Sequence, residues 1–437
     1  MDEYFRYRGA MIGLAAGDAL GCPVEGLKAG HITQLYGRVD SFVDPFIAWK
    51  KKPHRWRLPG LYSDDTQQAL ALSDTLVKCN GFDASYFARL LTDMARADTG
   101  GQFGAHRGTG KNFRGSVRAL MEGADPFNAG MPSAGIGAMM RSAPCGLYFG
   151  GDVESTMRAA VEQGLVTHRD PRSLVMAALC AVAVSGNATG SGDGRSAGER
   201  LSELSEAAGR AEDLVEKEYI HLIPVACMDR FGMAKSALDL LPRLVELPER
   251  SMALKQIVAE SNRQFPEHKI TEPGQGFVMA AGVTALYIAL TARDLEEGVI
   301  EAVSLGKDTD SMAAIVGAIM GARWGEESVP DRWRDGLVNF DQVALRGEAL
   351  LYKSSEGLGL TNLARMEAEL TSREVREREA LIERLAQKGE YVPASKPRSK
   401  AQKESGKDRA PTPRERKDKK HKPKRVKAPW KRSDWDG

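Results

Sequence analysis

The sequence predicts an all-α fold, and three observations carry that expectation. Apolar residues recur with helical spacing through most of residues 66–304, and no stretch sustains the alternation of a strand. Two apolar segments carry a small residue at every fourth position: Gly9, Gly13, Gly17 and Gly21 in one, Ala313, Gly317, Gly321 and Gly325 in the other. Two clusters of oxygen-bearing side chains, Ser63-Asp64-Asp65 and Asp308-Thr309-Asp310-Ser311, stand where glycine- or proline-marked loops turn into helix-periodic runs.

In chain order, residues 9–21 form a first helix whose glycines make a smooth face for close backbone approach. Four glycines lower helix propensity, so tight packing has to offset them. Asp18 sits one position off that face, and Pro23-Val24-Glu25-Gly26 ends the helix. Residues 31–59, with scattered aromatics and Pro45, Pro53 and Pro59, read as an irregular surface flap leading into the first acid cluster. Helices are expected at about residues 66–79, 84–97, 111–122, 151–164, 172–185, 198–216, 230–243, 250–261 and 276–304. The Gly/Ser-rich stretch 185–197 reads as a loop. Met312 to Trp324 repeats the smooth face. The two glycine-bearing helices are expected to pack on each other or on a common third, bringing both acid clusters and Glu25 toward one place. The expected organisation is a helical domain over 1–360, a charged helical extension over 361–392, and a basic tail over 393–437 that is disordered by composition.

The net charge of +2 hides an asymmetry. Residues 394–437 hold 17 basic and 6 acidic side chains, about +11, which leaves the remainder near −9. Those residues, with interspersed prolines and the closing Trp430 and Trp435, suit sequence-independent contact with nucleic-acid phosphates and equally suit a solvated tail. Cys22, Cys79, Cys145, Cys180 and Cys227 are scattered, odd in number and form no C-x-x-C pair. That argues against a disulfide framework or a zinc site and for a reducing compartment. The chain opens with Asp2 and Glu3 and has no secretory pattern, and its longest uncharged apolar run, Phe277 to Ala292, is shorter than a membrane span needs. A cytoplasmic protein without a membrane partner is expected.

Taken singly, each acid cluster reads as a helix cap, since Ser or Asp at a loop–helix junction accepts from orphan N–H groups. Adjacent Asp64 and Asp65 point about 100° apart on a helix, so one cap cannot use both. Four carboxylates and two hydroxyls gathered into one place would repel. Two divalent cations, Mg²⁺ or Mn²⁺, remove that repulsion, because such ions prefer carboxylate, hydroxyl and water oxygens. There is no G-x-x-x-x-G-K-[ST], no G-x-S-x-G and no H-E-x-x-H. Ser133-Ala134-Gly135-Ile136-Gly137, read as opening a helix, offers backbone N–H groups that suit a phosphate, or forms a plain turn and cap. His168, in Thr167-His168-Arg169-Asp170-Pro171, reads alone as a cap or packing residue.

In this order, GAMIGLAAGDALGCPVEG (9–26), LPGLYSDDTQQAL (58–70), RGTGKNFRGSVRALMEGADPFNAGMPSAGIGAMMRSAP (107–144), THRDP (167–171) and GKDTDSMAAIVGAIMGARWG (306–325) resemble the ADP-ribosylglycohydrolase family. The resemblance covers roughly residues 5–350. It implies a single-domain all-α fold with two Mg²⁺ or Mn²⁺ ions in a central cleft, and removal of ADP-ribose from modified protein side chains or related ADP-ribose derivatives. Carried over by position, it implies Ser63, Asp64 and Asp65 on one side of the metal pair and Asp308, Asp310 and Ser311 on the other. It places Glu25 where a water or substrate hydroxyl is positioned, in a catalytic set with Asp65 and Asp308. Ser133, Gly135 and Gly137 are implied to hold the diphosphate, His168 to flank the ribose and Phe127 to stack on adenine. Two departures stand out: Ile136 replaces the asparagine of a Gly-Asn-Gly, and Lys307 replaces a glycine before the Asp-x-Asp. They favour the alternative of a catalytically impaired member that binds ADP-ribose or a nucleotide, with the basic tail on nucleic acid.

Overall fold

The computed structural model describes residues 1–266 and 269–391; the expectations for the basic tail, its disorder and its contact with nucleic acid, fall on residues outside these. Among the described residues there is no β-strand, only isolated bridges, and the all-α expectation holds. The helices of nine residues or more are α1 (Glu3–Gly21), α2 (Asp64–Cys79), α3 (Ala84–Arg96), α4 (Lys111–Met121), α5 (Val153–Leu165), α6 (Pro171–Ala188), α7 (Ala197–Glu218), α8 (Arg250–Gln264), α9 (Val283–Thr291), α10 (Leu295–Ser304), α11 (Thr309–Trp324), α12 (Phe340–Tyr352) and α13 (Leu363–Gln387). The chain divides into a unit Met1–Glu379, which holds both acid clusters, and a second unit Ala380–Gly437.

Several stretches differ from expectation, among them the loop expected at 185–197, whose first residues continue α6 to Ala188. The run at 230–243 is broken: Met233–Leu238 and Leu241–Leu244 are separate helices, the second with Pro242 in its first turn, where a missing N–H costs least. The run at 276–304 divides at Asp294, whose carboxylate accepts from Glu297 N at 2.8 Å and starts α10 afresh. Residues 31–59 are not a surface flap throughout. Ala29–Tyr36 and Phe46–Trp49 are helical, Trp49 and Trp56 are buried, and Trp49 Nε1 donates to Pro23 O at 3.0 Å. The segment is thereby pinned to the end of α1.

At the centre, α1 and α11 lie antiparallel with their backbones touching. A Cβ on Gly13 would stand 2.2 Å from Gly317 O, one on Gly17 2.1 Å from Ala313 O, and one on Gly21 2.5 Å from Asp310 N. From the other side, a Cβ on Gly317 would stand 2.0 Å from Gly13 O. Of the two packing alternatives, the direct pairing is the one adopted. The register brings the C-terminal end of α1, with Asp18 inside it and Glu25 just beyond, against the N-terminus of α11 and its acids. Gly317→Ala is expected to force these helices apart and cost about 1–3 kcal/mol, read as a lowered thermal midpoint. An unchanged midpoint would mean the contact is slack. α6, apolar and long enough to cross a membrane, is 83% buried within the fold.

Candidate active site and metal centre

α2 starts at Asp64 because Ser63 caps it: Ser63 is extended (φ −92°, ψ −159°) and its Oγ accepts from Asp65 N at 3.2 Å. Asp18 reaches across from α1 to complete the cap. Its Oδ1 accepts from Ser63 N at 2.8 Å, and its Oδ2 accepts from Thr66 N at 3.0 Å and Thr66 Oγ1 at 2.6 Å. With those donors served, Asp64 and Asp65 are left over as caps. Asp64 Oδ2 accepts from Gln68 Nε2 at 2.7 Å. Asp65 Oδ2 accepts from Ser63 Oγ at 3.0 Å, while Asp65 Oδ1 is buried with no hydrogen-bond partner.

The second cluster is fastened to the end of α1 by backbone. Gly26 N donates to Lys307 O and Lys307 N to Leu27 O, each at 2.7 Å. Thr309 Oγ1 donates to Gly21 O at 2.9 Å, and Ser311 N to Asp310 Oδ1 at 3.0 Å. Lys307 takes a left-handed backbone (φ 69°), the conformation a glycine adopts most easily. Its ammonium lies 4.0 Å from Glu272 Oε1, so it has an acid of its own outside the two clusters.

Six carboxylates converge: Asp18, Asp64, Asp65 and Asp310 are buried, and Glu25 and Asp308 are half-buried. Ligand atoms of Asp18, Cys22 and Asp310 lie within 4.8 Å of one another. Burial, then the charges of Asp18 and Glu25, push Asp64 up to about 7. Burial and Glu25 push Asp308 up to about 6. Asp65 and Asp310 are driven well above the usual carboxylate range, by burial first and then by neighbouring carboxylates. Glu25 is also raised by burial, against the opposing pull of Arg57 and Arg55. A Cβ on Gly108 would stand 3.1 Å from Asp64 Oδ1, and one on Gly276 2.6 Å from Asp308 Oδ2, so two glycines keep those oxygens uncovered. Repelling carboxylates, an orphaned Asp65 oxygen and hydroxyls beside them make a donor set that fits hard divalent cations.

The Ser133–Gly137 stretch does not open an α-helix as expected. It forms one 3₁₀ turn, Ile136–Ala138, and the next α-helix begins at Ala143. Ser133 Oγ accepts from Asn112 Nδ2 at 2.9 Å and from Gly135 N at 3.2 Å, so one of the amides offered to a phosphate is already engaged. Ile136 is buried in the core. A Cβ on Gly137 would stand 3.0 Å from His168 Cε1, and one on Gly135 3.6 Å from His168 Nε2; the glycines admit the imidazole against the turn. Burial, then Arg141, lowers the His168 pKa to about 3, so the ring is neutral. Thr167 Oγ1 accepts from Arg141 Nη2 at 2.7 Å and meets His168 Nδ1 at 2.8 Å, which fixes the orientation of the ring. Phe127 is half-buried against the core with its N–H on Asp125 Oδ1 at 3.0 Å; among the described residues no ring contact joins it to His168.

The structure adds residues that the sequence left unassigned. Buried Arg141 donates to Gln68 Oε1, to Gln163 Oε1 at 2.6 Å and to Thr167, and so ties Asp64 to His168 through neutral partners. On the opposite flank, α13 contributes three side chains at i, i+4 and i+7. Glu367, fully buried, accepts from Tyr62 Oη and Gln67 Nε2, each at 2.7 Å, and pairs with Arg107 Nη2 at 2.8 Å. Thr371 Oγ1 accepts from Arg107 Nη1 at 3.0 Å. Glu374 Oε1 accepts from Arg57 Nε at 2.9 Å and Leu58 N at 3.1 Å. Tyr62 and Gln67 bracket the first acid cluster, so α13 braces it from behind.

Comparison with known proteins adds to this geometry. The model of a family described as ADP-ribosylglycohydrolase matches residues 1–360. The chain is 25% identical over 354 residues to ADP-ribosylarginine hydrolase Tri1 of Serratia proteamaculans (strain 568), covering 80% of each. It is 27% identical over 363 residues to ADP-ribosylhydrolase ARH3 of Bos taurus, covering 79% of this chain and 92% of that one. A solved ADP-ribosylglycohydrolase-related protein complex matches at a TM-score of 0.56 with 25% identity, over 80% of this chain and 99% of that one.

Proposed function

Because this chain belongs to the ADP-ribosylglycohydrolase family, a family of hydrolases, we propose that it frees ADP-ribose from a modified side chain by cleaving the bond at ribose C1″. Two Mg²⁺ or Mn²⁺ ions are held in this reading by Ser63, Asp64 and Asp65 on one side and by Asp308, Asp310 and Ser311 on the other. The observation that carries it is the meeting of two acid clusters from distant parts of the chain around the unpartnered Asp65 Oδ1.

When bound, such ions offset the carboxylate repulsion and polarise the oxygens of the ribose and of a water. The chain supplies the rest. The turn that carries Ser133, Gly135 and Gly137 faces the diphosphate, with Gly137 N–H as its donor because Ser133 N and Gly135 N already donate to Met131 O and Ser133 Oγ; His168 flanks the ribose, and Phe127 lies against adenine. Glu25, half-buried at the mouth, orients the water toward C1″ and takes its proton. Asp65 and Asp308 stabilise the positive charge that develops at C1″. Water gives its hydroxyl to C1″, and the proton that Glu25 takes from it passes on to the leaving acceptor. The five cysteines are free, which supports a reducing, cytoplasmic setting.

Peptides ADP-ribosylated on serine or arginine, incubated with the protein and Mg²⁺ or Mn²⁺, are expected to release ADP-ribose. Metal binding without release from either, with ADP-ribose still bound tightly in calorimetry, would establish the binding-only alternative instead. Its two sequence grounds are weakened: Ile136 is packed in the core, and the Lys307 ammonium faces Glu272.

A further inference from the structure

The region that matches the family ends at residue 360, and α13 follows it. Between Leu363 and Glu379 this helix turns three buried polar side chains inward, Glu367, Thr371 and Glu374. They reach two segments: 57–67, which contains Ser63, Asp64 and Asp65, and 105–107, which leads into Gly108. Glu367 stands where the two meet. Its Oε1 accepts from Tyr62 Oη and its Oε2 from Gln67 Nε2, each at 2.7 Å, and Oε2 forms an ion pair with Arg107 Nη2 at 2.8 Å. Arg107 in turn donates from Nε to Tyr62 O at 3.0 Å and from its backbone N to Gln67 Oε1 at 2.9 Å. Thr371 Oγ1 donates to Ala105 O at 2.6 Å while accepting from Arg107 Nη1. Tyr62 and Gln67, which bracket the first acid cluster, are thus tied both to α13 and to Arg107. The next residue is Gly108, whose Cβ position lies 3.1 Å from Asp64 Oδ1 and 3.3 Å from Ser63 Cβ. Any shift of the 105–108 segment is therefore felt at Ser63 and Asp64. Stability alone is a weak reason for such an arrangement, because apolar side chains of the same volume roughly match a buried ion pair. What hydrogen-bonded ionic groups add is fixed orientation, and groups behind a metal's ligands act in that way.

Resting on the metal-dependent hydrolase reading above, we propose that Glu367 and Thr371 are positioning residues for the metal centre, so that ion binding and the docking of α13 strengthen each other. Glu367 holds the 62–67 turn in the geometry that ions at Asp64 and Asp65 need, and bound ions hold the turn in the geometry that Glu367 grips. By linkage the two effects are equal in size. The metal affinity of this chain is then set in part by a helix beyond residues 1–360.

The test uses the full-length protein with Mn²⁺ as the probe. Electron paramagnetic resonance gives the Mn²⁺ affinity, and hydrogen exchange read by mass spectrometry follows the amides of residues 363–379. Thr371→Val and Glu367→Gln are each expected to weaken Mn²⁺ binding by about tenfold to a hundredfold, with kcat recovering at saturating Mn²⁺. In the wild type, Mn²⁺ at about ten times its Kd is expected to slow exchange in 363–379 by up to about tenfold. Exchange in α7, which contributes nothing to the acid clusters, should stay unchanged. Should Glu367→Gln fail to fold, Thr371→Val decides alone, since it removes a hydroxyl without stranding a charge. A folded variant of either kind that binds Mn²⁺ as tightly as wild type overturns the proposal and leaves the hydrolase reading standing, and so does exchange in 363–379 that Mn²⁺ does not slow. Faster exchange in a variant throughout the chain, α7 included, shows a merely structural role and overturns the proposal too. A wild type that binds no Mn²⁺ overturns the metal-dependent reading along with it.

Discussion

Asp65→Asn is expected to lower kcat by at least about a hundredfold while raising the thermal midpoint of the metal-free protein. The two effects have one cause. Asp65 is buried among Asp18, Asp64 and Asp308, which drive its pKa well above the usual range, and its Oδ1 has no donor. The asparagine oxygen still accepts from Ser63 Oγ, so the local hydrogen bond survives while the like-charge repulsion goes. The checks are turnover with Mg²⁺ and melting curves in chelator. Loss of activity together with loss of stability would show that Asp65 is a structural cap.

The second large effect concerns pH. The metal-free protein is expected to lose stability as pH rises from 6.5 to about 8, and Mg²⁺ to restore it increasingly over that range. The sign follows from the acids: Asp64 titrates near 7 in the fold against 3.8 unfolded, so the folded state holds the extra proton between those values. Its contribution is fully present below about 4 and is lost as pH rises through 7, at up to about 1.4 kcal/mol per pH unit. Asp65 and Asp310 act in the same direction. His106 and His168, with pKa values lowered to about 4 and about 3, oppose this only below 6.5, where the unfolded imidazoles take up protons. Above 6.5 the carboxylates act alone. Thermal melts with and without Mg²⁺, and proton release on Mg²⁺ binding by calorimetry, check it. A Mg²⁺-induced gain that shrinks with rising pH would sink the account.

The acid clusters were legible because each overloads a cap: one helix start cannot use Ser63, Asp64 and Asp65 together. The pairing of α1 with α11 was legible because glycine every fourth residue has little use on a helix except to let another backbone in. Asp18 was not, since a single acid in a Gly/Ala helix gives no sign of the donors it will meet, here Ser63 N and Thr66. Nor were Glu367 and Glu374. In a helix as charged as α13, acids at i and i+7 look the same whether they face water or, as here, Arg107 and Arg57. The 3₁₀ turn at Ile136 escaped because glycine-rich spacing fits a helix start and a tight turn equally well.

The backbone seam between α1 and α11 also has a consequence for biosynthesis. Residues near the start of the chain wait for partners about three hundred positions later, so a nascent polypeptide still short of Asp308 lacks the second acid cluster altogether. The last brace, Glu374, emerges later still. Such long-range closure makes assembly slow relative to local helix formation. Chains released before Asp308 would carry helices and only one side of the candidate metal centre.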